Sequence, residues 1–271
     1  RDPENYSLAS QKRELSVLFT DIRSFTTISE GLDAGDLSTL MDEYLTPMTQ
    51  IVHETHGTID KYIGDAVMAF WGAPVFHPHH ADQAVWAGLA MLTALDVLNE
   101  DFEKKGWPEI HIGVGVNTGV MSVGNMGSRF RKAYTVLGDA VNLGSRLEGI
   151  TKQYGVDMVV SEDTAHSAGR FHYRELDTVR VKGKEKGVTI LEPLGLEEEL
   201  SEEQIKRADA FSHILYLYRE QQWDEAEQAL NTLLEDEPDC FLYKLYIDRI
   251  KHFRENPPGE DWDGVFTFET K

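Results

Sequence analysis

With 271 residues, 41% of them hydrophobic, the chain is long enough to bury one full core with something smaller beside it. A net charge of −21 excludes nucleic acid as a partner, because phosphate backbones are bound through clustered Lys and Arg. No apolar run reaches the roughly 20 residues of a membrane span, and the single Cys240 excludes an internal disulfide or a cysteine zinc site. That cysteine reads as a small buried thiol on a helix, in keeping with a reducing cytoplasm.

In chain order, residues 15–19 predict a first strand, and Ser24-Phe25-Thr26 begins a turn into helix. Residues 33–56 carry Leu37, Leu40, Met41, Tyr44, Leu45, Met48, Ile51 and Val52 at helical spacing, with Pro47 predicting a kink. Strands over 58–63 and 66–71 are joined by Gly64-Asp65, the short turn of a hairpin. A second long helix is expected over 79–104, then strands over 110–117 and 120–126. Gly113, Gly115, Gly119, Gly124 and Gly127 lie within and between those strands. A dinucleotide-binding loop must join a strand to a helix, so close packing or a bulge explains them better. Residues 138–154 predict a helix, and 156–161, 173–176, 179–181 and 188–193 short strands. Three helices follow over 201–220, 223–234 and 240–253, before a tail in which Trp262, Val265, Phe266 and Phe268 are expected to dock. The fold class is α/β: a ferredoxin-like βαββαβ sandwich with an appended strand-helix section and a C-terminal helical extension.

Two motifs each set one aspartate at the end of an apolar run. They are Leu18-Phe19-Thr20-Asp21-Ile22-Arg23-Ser24-Phe25-Thr26 and Asp60-Lys61-Tyr62-Ile63-Gly64-Asp65-Ala66-Val67-Met68-Ala69-Phe70-Trp71. Paired carboxylates at loop edges suit Mg²⁺ or Mn²⁺ when phosphates complete the coordination. Alone, Asp21 would read as a helix cap and Asp65 as turn chemistry. A third segment, Tyr134-Thr135-Val136-Leu137-Gly138-Asp139-Ala140-Val141-Asn142-Leu143-Gly144-Ser145-Arg146, puts Asn142 and Arg146 one helical turn apart, able to address one ligand.

Over residues 14–193 these segments resemble the class III nucleotidyl cyclase catalytic domain, the family of adenylyl and guanylyl cyclases. The resemblance implies that Asp21 and Asp65 hold two Mg²⁺ or Mn²⁺ ions, with the Ile22 carbonyl as a further ligand. It implies that Asn142 orients the ribose, that Arg146 meets the α-phosphate, and that Lys182 contacts phosphate. Phe25 and Thr26 count among the substrate-binding residues, and Arg129 reaches the terminal phosphates. Substrate choice falls to Lys61 and Thr135: this combination goes with adenine, Lys61 donating to the ring nitrogen and Thr135 accepting from the exocyclic amine. No residue stands out as general base, and Asp21, a water and the substrate itself remain candidates.

The activity implied is conversion of ATP to cyclic AMP and pyrophosphate by a head-to-tail homodimer. The metal aspartates act from one subunit, and Lys61, Thr135, Asn142, Arg146 and Lys182 from the other. The alternatives are a guanylate cyclase and a non-catalytic nucleotide-sensing module. The domains expected are a linker over 1–13, the catalytic domain over 14–194 and an acidic extension over 195–271. The extension holds 20 acidic and 8 basic residues, −12 of the total of −21. In it, Gln222-Trp223-Asp224-Glu225-Ala226 followed by Leu230, Leu233, Leu234 and Pro238 is similar to one tetratricopeptide-type hairpin. One unit is too few for a solenoid, so a packing role or a plain C-terminal cap is expected. His77, His79 and His80 read as a loop leading into a helix. The opening Arg1-Asp2-Pro3, without methionine, reads as a fragment of a longer protein, and the resemblance implies a sensor or membrane module upstream of a part expected in the cytoplasm.

Overall fold

The computed structural model describes residues 10–180 and 186–267. Its first half runs β1 (Gln11–Ile22), α1 (Phe25–Gly31), α2 (Ala34–Glu54), β2 (Thr58–Ile63), β3 (Ala66–Trp71), α3 (His80–Lys104), β4 (Ile112–Gly127) and β5 (Lys132–Leu137). There follow α4 (Asp139–Tyr154), β6 (Met158–Ser161), α5 (Glu162–Ser167), β7 (Phe171–Arg180), β8 (Val188–Leu196), α6 (Glu202–Arg219), α7 (Trp223–Asp236), α8 (Phe241–Glu255) and β9 (Phe266–Thr267). One sheet runs in the order β2-β3-β1-β4-β6-β8-β7-β9, with β5 pairing the far end of β4. The first four strands have the antiparallel order of a ferredoxin-like sandwich, as the βαββαβ pattern predicts.

Both faces of the sheet are covered, so β1 is buried continuously from Leu15 to Leu18. Leu18 and Ile22 point into the core shared with α2 and α3, while Leu15 and Val17 point to the opposite face with Met121, Val136 and Val141. The α2 stripe docks through Leu40, Tyr44, Met48 and Val52, and the helix continues through Pro47. Asp33 caps it by accepting from the Gly35 and Asp36 amides at 2.9 Å each. By length and composition α3 could cross a membrane, but His80, Ala84, Val85, Ala87, Met91, Leu95 and Phe102 are buried in this chain's own core.

Two expectations need correction. The strands expected over 110–117 and 120–126 are one, β4, which pairs β1 without interruption from Ile112 to Val123 and so carries through Gly119. The strands over 173–176 and 179–181 likewise merge into β7, held against β8 on one edge and β9 on the other. Three elements were not foreseen: β5, which pairs residues 122–127 of β4, α5, a six-residue helix capped by Ser161, and β9, the two-residue strand beside β7. The glycines in β4 do serve close packing. A Cβ on Gly115 would lie 2.3 Å from the Glu148 nitrogen and 2.6 Å from the Gly144 oxygen, so β4 and α4 meet backbone to backbone.

The extension packs onto this frame. Phe211, Ile214, Leu215, Tyr218, Leu230, Tyr243, Tyr246 and Ile250 share one buried cluster with Leu147, Ile150 and Tyr154 of α4 and with Leu176, Val179 and Ile190 of the sheet. The Tyr246 hydroxyl donates to the Leu176 carbonyl at 2.7 Å. Trp262 packs among Tyr218, Trp223 and Phe253, and Phe266 lies 3.9 Å from the Arg249 guanidinium, so the tail docks. Phe268 lies outside the described residues. Cys240 is half-buried at the N-cap of α8 rather than buried within the helix.

Candidate active site

Asp21 ends β1 and Asp65 occupies the β2–β3 turn, two sheet positions separated by 43 residues in the case of Ile22 and Asp65 but adjacent in space. The Ile22 amide donates to Asp65 Oδ2 at 2.9 Å, and the Asp21 and Asp65 carboxyls share a hydrogen bond. Burial, then that bond and the charge of Asp65, push the Asp21 carboxyl up to about 7, while Lys152 pulls it down. Glu148, on the α4 face that meets the sheet, is also pushed up to about 7 by burial and next by Asp21, against Lys152 and Arg23. One Glu148 oxygen, Oε1, is buried without a hydrogen bond.

Burial and mutual charge thus raise the Asp21 and Glu148 carboxyls at this end of the sheet, an environment that a bound cation would relieve. The donors are hard oxygens, which fit Mg²⁺ or Mn²⁺ better than softer metals. Among the described residues no group of three or more His, Cys, Asp or Glu side chains converges as a metal cluster. Asp21, Asp65 and the Ile22 carbonyl could supply part of a coordination shell, with the rest left to phosphate and water.

A second cluster surrounds Asp60, which sequence reasoning passed over. Its side chain is wholly buried. Oδ2 accepts from Thr135 Oγ1 at 2.5 Å and from the Val136 amide at 3.3 Å. Lys61 Nζ sits 3.3 Å from Asp60 Oδ1, with its side chain about half exposed. Lys61 and Thr135, expected to act together, are thus joined through Asp60. The sequence signal was an acid beside Lys61 in a strand otherwise free of charge.

Asn142 and Arg146 are both exposed on one side of α4, as their spacing predicts. Among the described residues neither makes a hydrogen bond or ion pair with Asp21 or Asp65. Phe25 begins α1 and packs partly against the core; Thr26 beside it is exposed, its carbonyl accepting from Ser29 Oγ at 2.8 Å. Arg129 is exposed at the β4–β5 tip, where Ser128 Oγ accepts from the Phe130 and Arg131 amides at 3.2 and 3.1 Å. Lys182 lies outside the described residues. His80 begins α3 with Nδ1 2.9 Å from Ser16 Oγ, and burial pulls its pKa down; His77 stacks on His56 at 5.9 Å.

A sheet of this order, with paired aspartates at one end and a polar helix face beside it, is the architecture of a nucleotide-cyclising catalytic domain. The profile of the adenylate and guanylate cyclase catalytic domain matches residues 8–191, and the chain belongs to that family. The "Adenylate cyclase" of Anabaena cylindrica is 37% identical over 192 residues, 68% of this chain; the chain spans 37% of that relative's length. Among solved structures, the adenylyl cyclase CyaB from P. aeruginosa aligns with a TM-score of 0.66 and 34% identity, over 71% of this chain and 100% of that one. The guanylyl cyclase Cya2 aligns with a TM-score of 0.65 and 33% identity, over 70% of this chain and 96% of that one. Overall likeness therefore does not choose between the two bases. Catalytic domains of this family bind nucleotide, depend on metal ions and act as dimers.

Proposed function

We propose that this chain is an adenylate cyclase that converts ATP to cyclic AMP and pyrophosphate. The carrying observation is the Asp21–Asp65 carboxyl pair, set together where the Ile22 amide meets Asp65 Oδ2 at 2.9 Å, in a place where burial and then Asp65 push Asp21 up and a cation would be welcome. When bound, two divalent cations would supply a lowered pKa at the ribose hydroxyl and neutralisation of the triphosphate. The residues to hold them are Asp21, Asp65 and the Ile22 carbonyl.

Arg146 stabilises the negative charge that builds on the α-phosphate, a task suited to a group that stays ionised and presents several donors. Asn142 orients the ribose. Lys182 and Arg129 bind phosphate oxygens, and Phe25 and Thr26 bind substrate beside Asp21. Lys61 and Thr135 read adenine. The protein contributes position and charge, as phosphoryl chemistry requires.

The functional unit is a head-to-tail homodimer with two shared sites. Two observations support it. Arg146 and Asn142 stand exposed without contact to the carboxyl pair of their own chain. The β2–β3 and β4–β5 hairpins also expose Tyr62, Ile63, Val120, Phe130 and Leu137, apolar side chains that a second copy would cover. Residues 14–194 form the catalytic unit, and residues 195–271 a packing extension of tetratricopeptide-like wording.

Incubation with ATP or GTP and Mn²⁺, followed by product analysis, tests the reading: cyclic AMP in excess is expected. Cyclic GMP in excess would favour the guanylate cyclase reading that the likeness to Cya2 also permits. Asp65→Ala and Arg146→Ala chains, each inactive, should regain turnover on mixing; demonstrated mixed dimers without turnover would rule out shared sites.

A further inference from the structure

The inference concerns how base choice is set, and it rests on the reading of Lys61 and Thr135 as the base-contacting pair. A threonine hydroxyl is ambiguous: it can donate one hydrogen bond and accept two, so by itself it can face either an amine or a carbonyl. Here the ambiguity is removed. Asp60 Oδ2 already receives the Val136 amide at 3.3 Å, a group that can only donate, so this oxygen is an acceptor. Thr135 Oγ1 lies 2.5 Å from the same oxygen and must spend its one proton there. What remains on Oγ1 for a ligand is lone pairs.

The backbone explains how Asp60 comes to lie under both residues. Adjacent residues of a regular strand point to opposite faces. The β2–β3 register shifts between Ile59 and Lys61, which leaves Asp60 as the extra residue of a bulge. A bulge re-aims a side chain. Asp60 can then turn inward to β5 while its other oxygen stays 3.3 Å from Lys61 Nζ. That oxygen, Oδ1, is buried and makes no directed hydrogen bond, so it holds the ammonium by charge.

We infer that Asp60 is the positioning residue that sets base specificity, making Thr135 an obligate acceptor and steadying Lys61 as donor, so that the site reads an aminopurine and rejects an oxopurine. Adenine presents an acceptor ring nitrogen beside a donor amine, the complement of Lys61 and Thr135. Guanine presents the reverse polarity at both positions, and a buried mismatch leaves polar groups unpaired. Were Asp60 only a fastener between β2 and β5, its loss would lower stability and leave base preference alone.

The test compares kcat/KM for ATP, GTP and purine ribonucleoside triphosphate, which lacks the exocyclic amine, in wild type and in Asp60→Ala, Asp60→Asn and Thr135→Ala, with Mn²⁺ and with melting curves for each. Wild type should prefer ATP over the amine-free analogue by about tenfold, the worth of one such hydrogen bond. Thr135→Ala should bring that ratio near one, whereas Asp60→Ala, in which the Thr135 hydroxyl is free to donate as well as accept, should narrow the preference for ATP over GTP although Thr135 is intact. Asp60→Asn should keep the preference, because the Val136 amide holds the amide oxygen toward Thr135, while the KM for ATP rises as Lys61 loses its counter-charge.

A folded Asp60→Ala chain with the wild-type ATP-to-GTP ratio overturns the role of Asp60 alone. No amine preference in wild type, unchanged in Thr135→Ala, overturns the base-contacting reading and the inference with it. If Asp60→Ala does not fold, Asp60→Asn decides: a raised KM at unchanged preference supports the inference, and wild-type values for both overturn it.

Discussion

Arg249 donates to Asp177 Oδ2 at 2.7 Å with only 10% and 1% of the two side chains exposed, and the Tyr154 hydroxyl donates to the same oxygen at 2.6 Å. One carboxylate thus ties α8 of the extension to β7 and to the last residue of α4, the helix that carries Asn142 and Arg146. The guanidinium is further enclosed by the rings of Tyr154, Tyr246 and Phe266 at 5.4, 5.0 and 3.9 Å. Removing one partner leaves the other charge buried. Asp177→Ala should therefore cost about 3–5 kcal/mol in urea unfolding. A loss below about 1 kcal/mol, the scale of a surface pair, would contradict this.

Gly115, at the β4–α4 contact, and Gly149, on the exposed side of α4, predict opposite results. Gly115→Ala places a methyl group against backbone atoms of Glu148 and Gly144, which cannot swing aside. It should destabilise the protein by about 1–3 kcal/mol or more and lower kcat by shifting α4. Gly149, exposed on the same helix, has open space around its Cβ direction, and alanine is the better helix former. Gly149→Ala should stabilise by about 0.5–1 kcal/mol in the same assay.

The pH dependence of the metal-free protein follows from Glu148, pushed from an ordinary 4.5 up to about 7 by burial and then by Asp21. The folded chain holds this proton more tightly than the unfolded chain does. Its contribution to stability is complete below the unfolded value and is lost as pH rises through about 7. Glu148→Gln cannot lose a proton, so with chelator present its stability should gain on wild type as pH rises through that window. A gap that does not change with pH would count against the raised value.

Metal binding should release protons. Asp21 retains a proton up to about 7 because of burial and of Asp65, and a ligating carboxylate must give it up. Titration of Mn²⁺ near neutral pH, in buffers of different ionisation enthalpy, should show proton release in wild type and less in Asp65→Asn. The same substitution removes one of two crowded charges, so it should raise the melting temperature of the metal-free protein while abolishing the rise caused by Mn²⁺. Equal proton release by both proteins would disprove the shared site.

For Arg146, loss of a donor used mainly in the transition state should appear in kcat. Arg146→Ala should lower kcat by about 10²–10³ while the KM for ATP changes little. Arg146→Lys should recover little, since an ammonium lacks the planar fork. A loss confined to KM would make Arg146 a ground-state binding residue instead.

The carboxyl pair was legible in the sequence because each aspartate sits at a local signal, the end of an apolar run for Asp21 and a Gly-Asp turn for Asp65. The helices of the extension were legible for the same reason, their apolar side chains recurring at helical spacing. Strand β5 was not, because Lys132–Leu137 gains its partner only at the far end of β4 and lies between a basic tip and a helix. Gly119 reads as a break in isolation, yet β4 passes through it because β1 supplies a partner along both halves. Short α5 escaped because six residues hold too little periodicity, although Ser161 capping the Thr164 amide was a usable sign.

Residue types and local spacing offered paired acids suited to cations and an Asn–Arg pair on one helix face, while the roles of the arginine toward phosphate and of the lysine and threonine toward a base edge came only with the resemblance to the cyclase family. Which of these groups share a proton could not be read along the chain, because it depends on registers between strands distant in sequence. Thr135 and Asp60 are 75 positions apart, and only the bulge in β2 and the pairing of β5 with β4 bring the hydroxyl and the carboxylate together. The polarity of Thr135, and through it the choice of base, belongs to that packing.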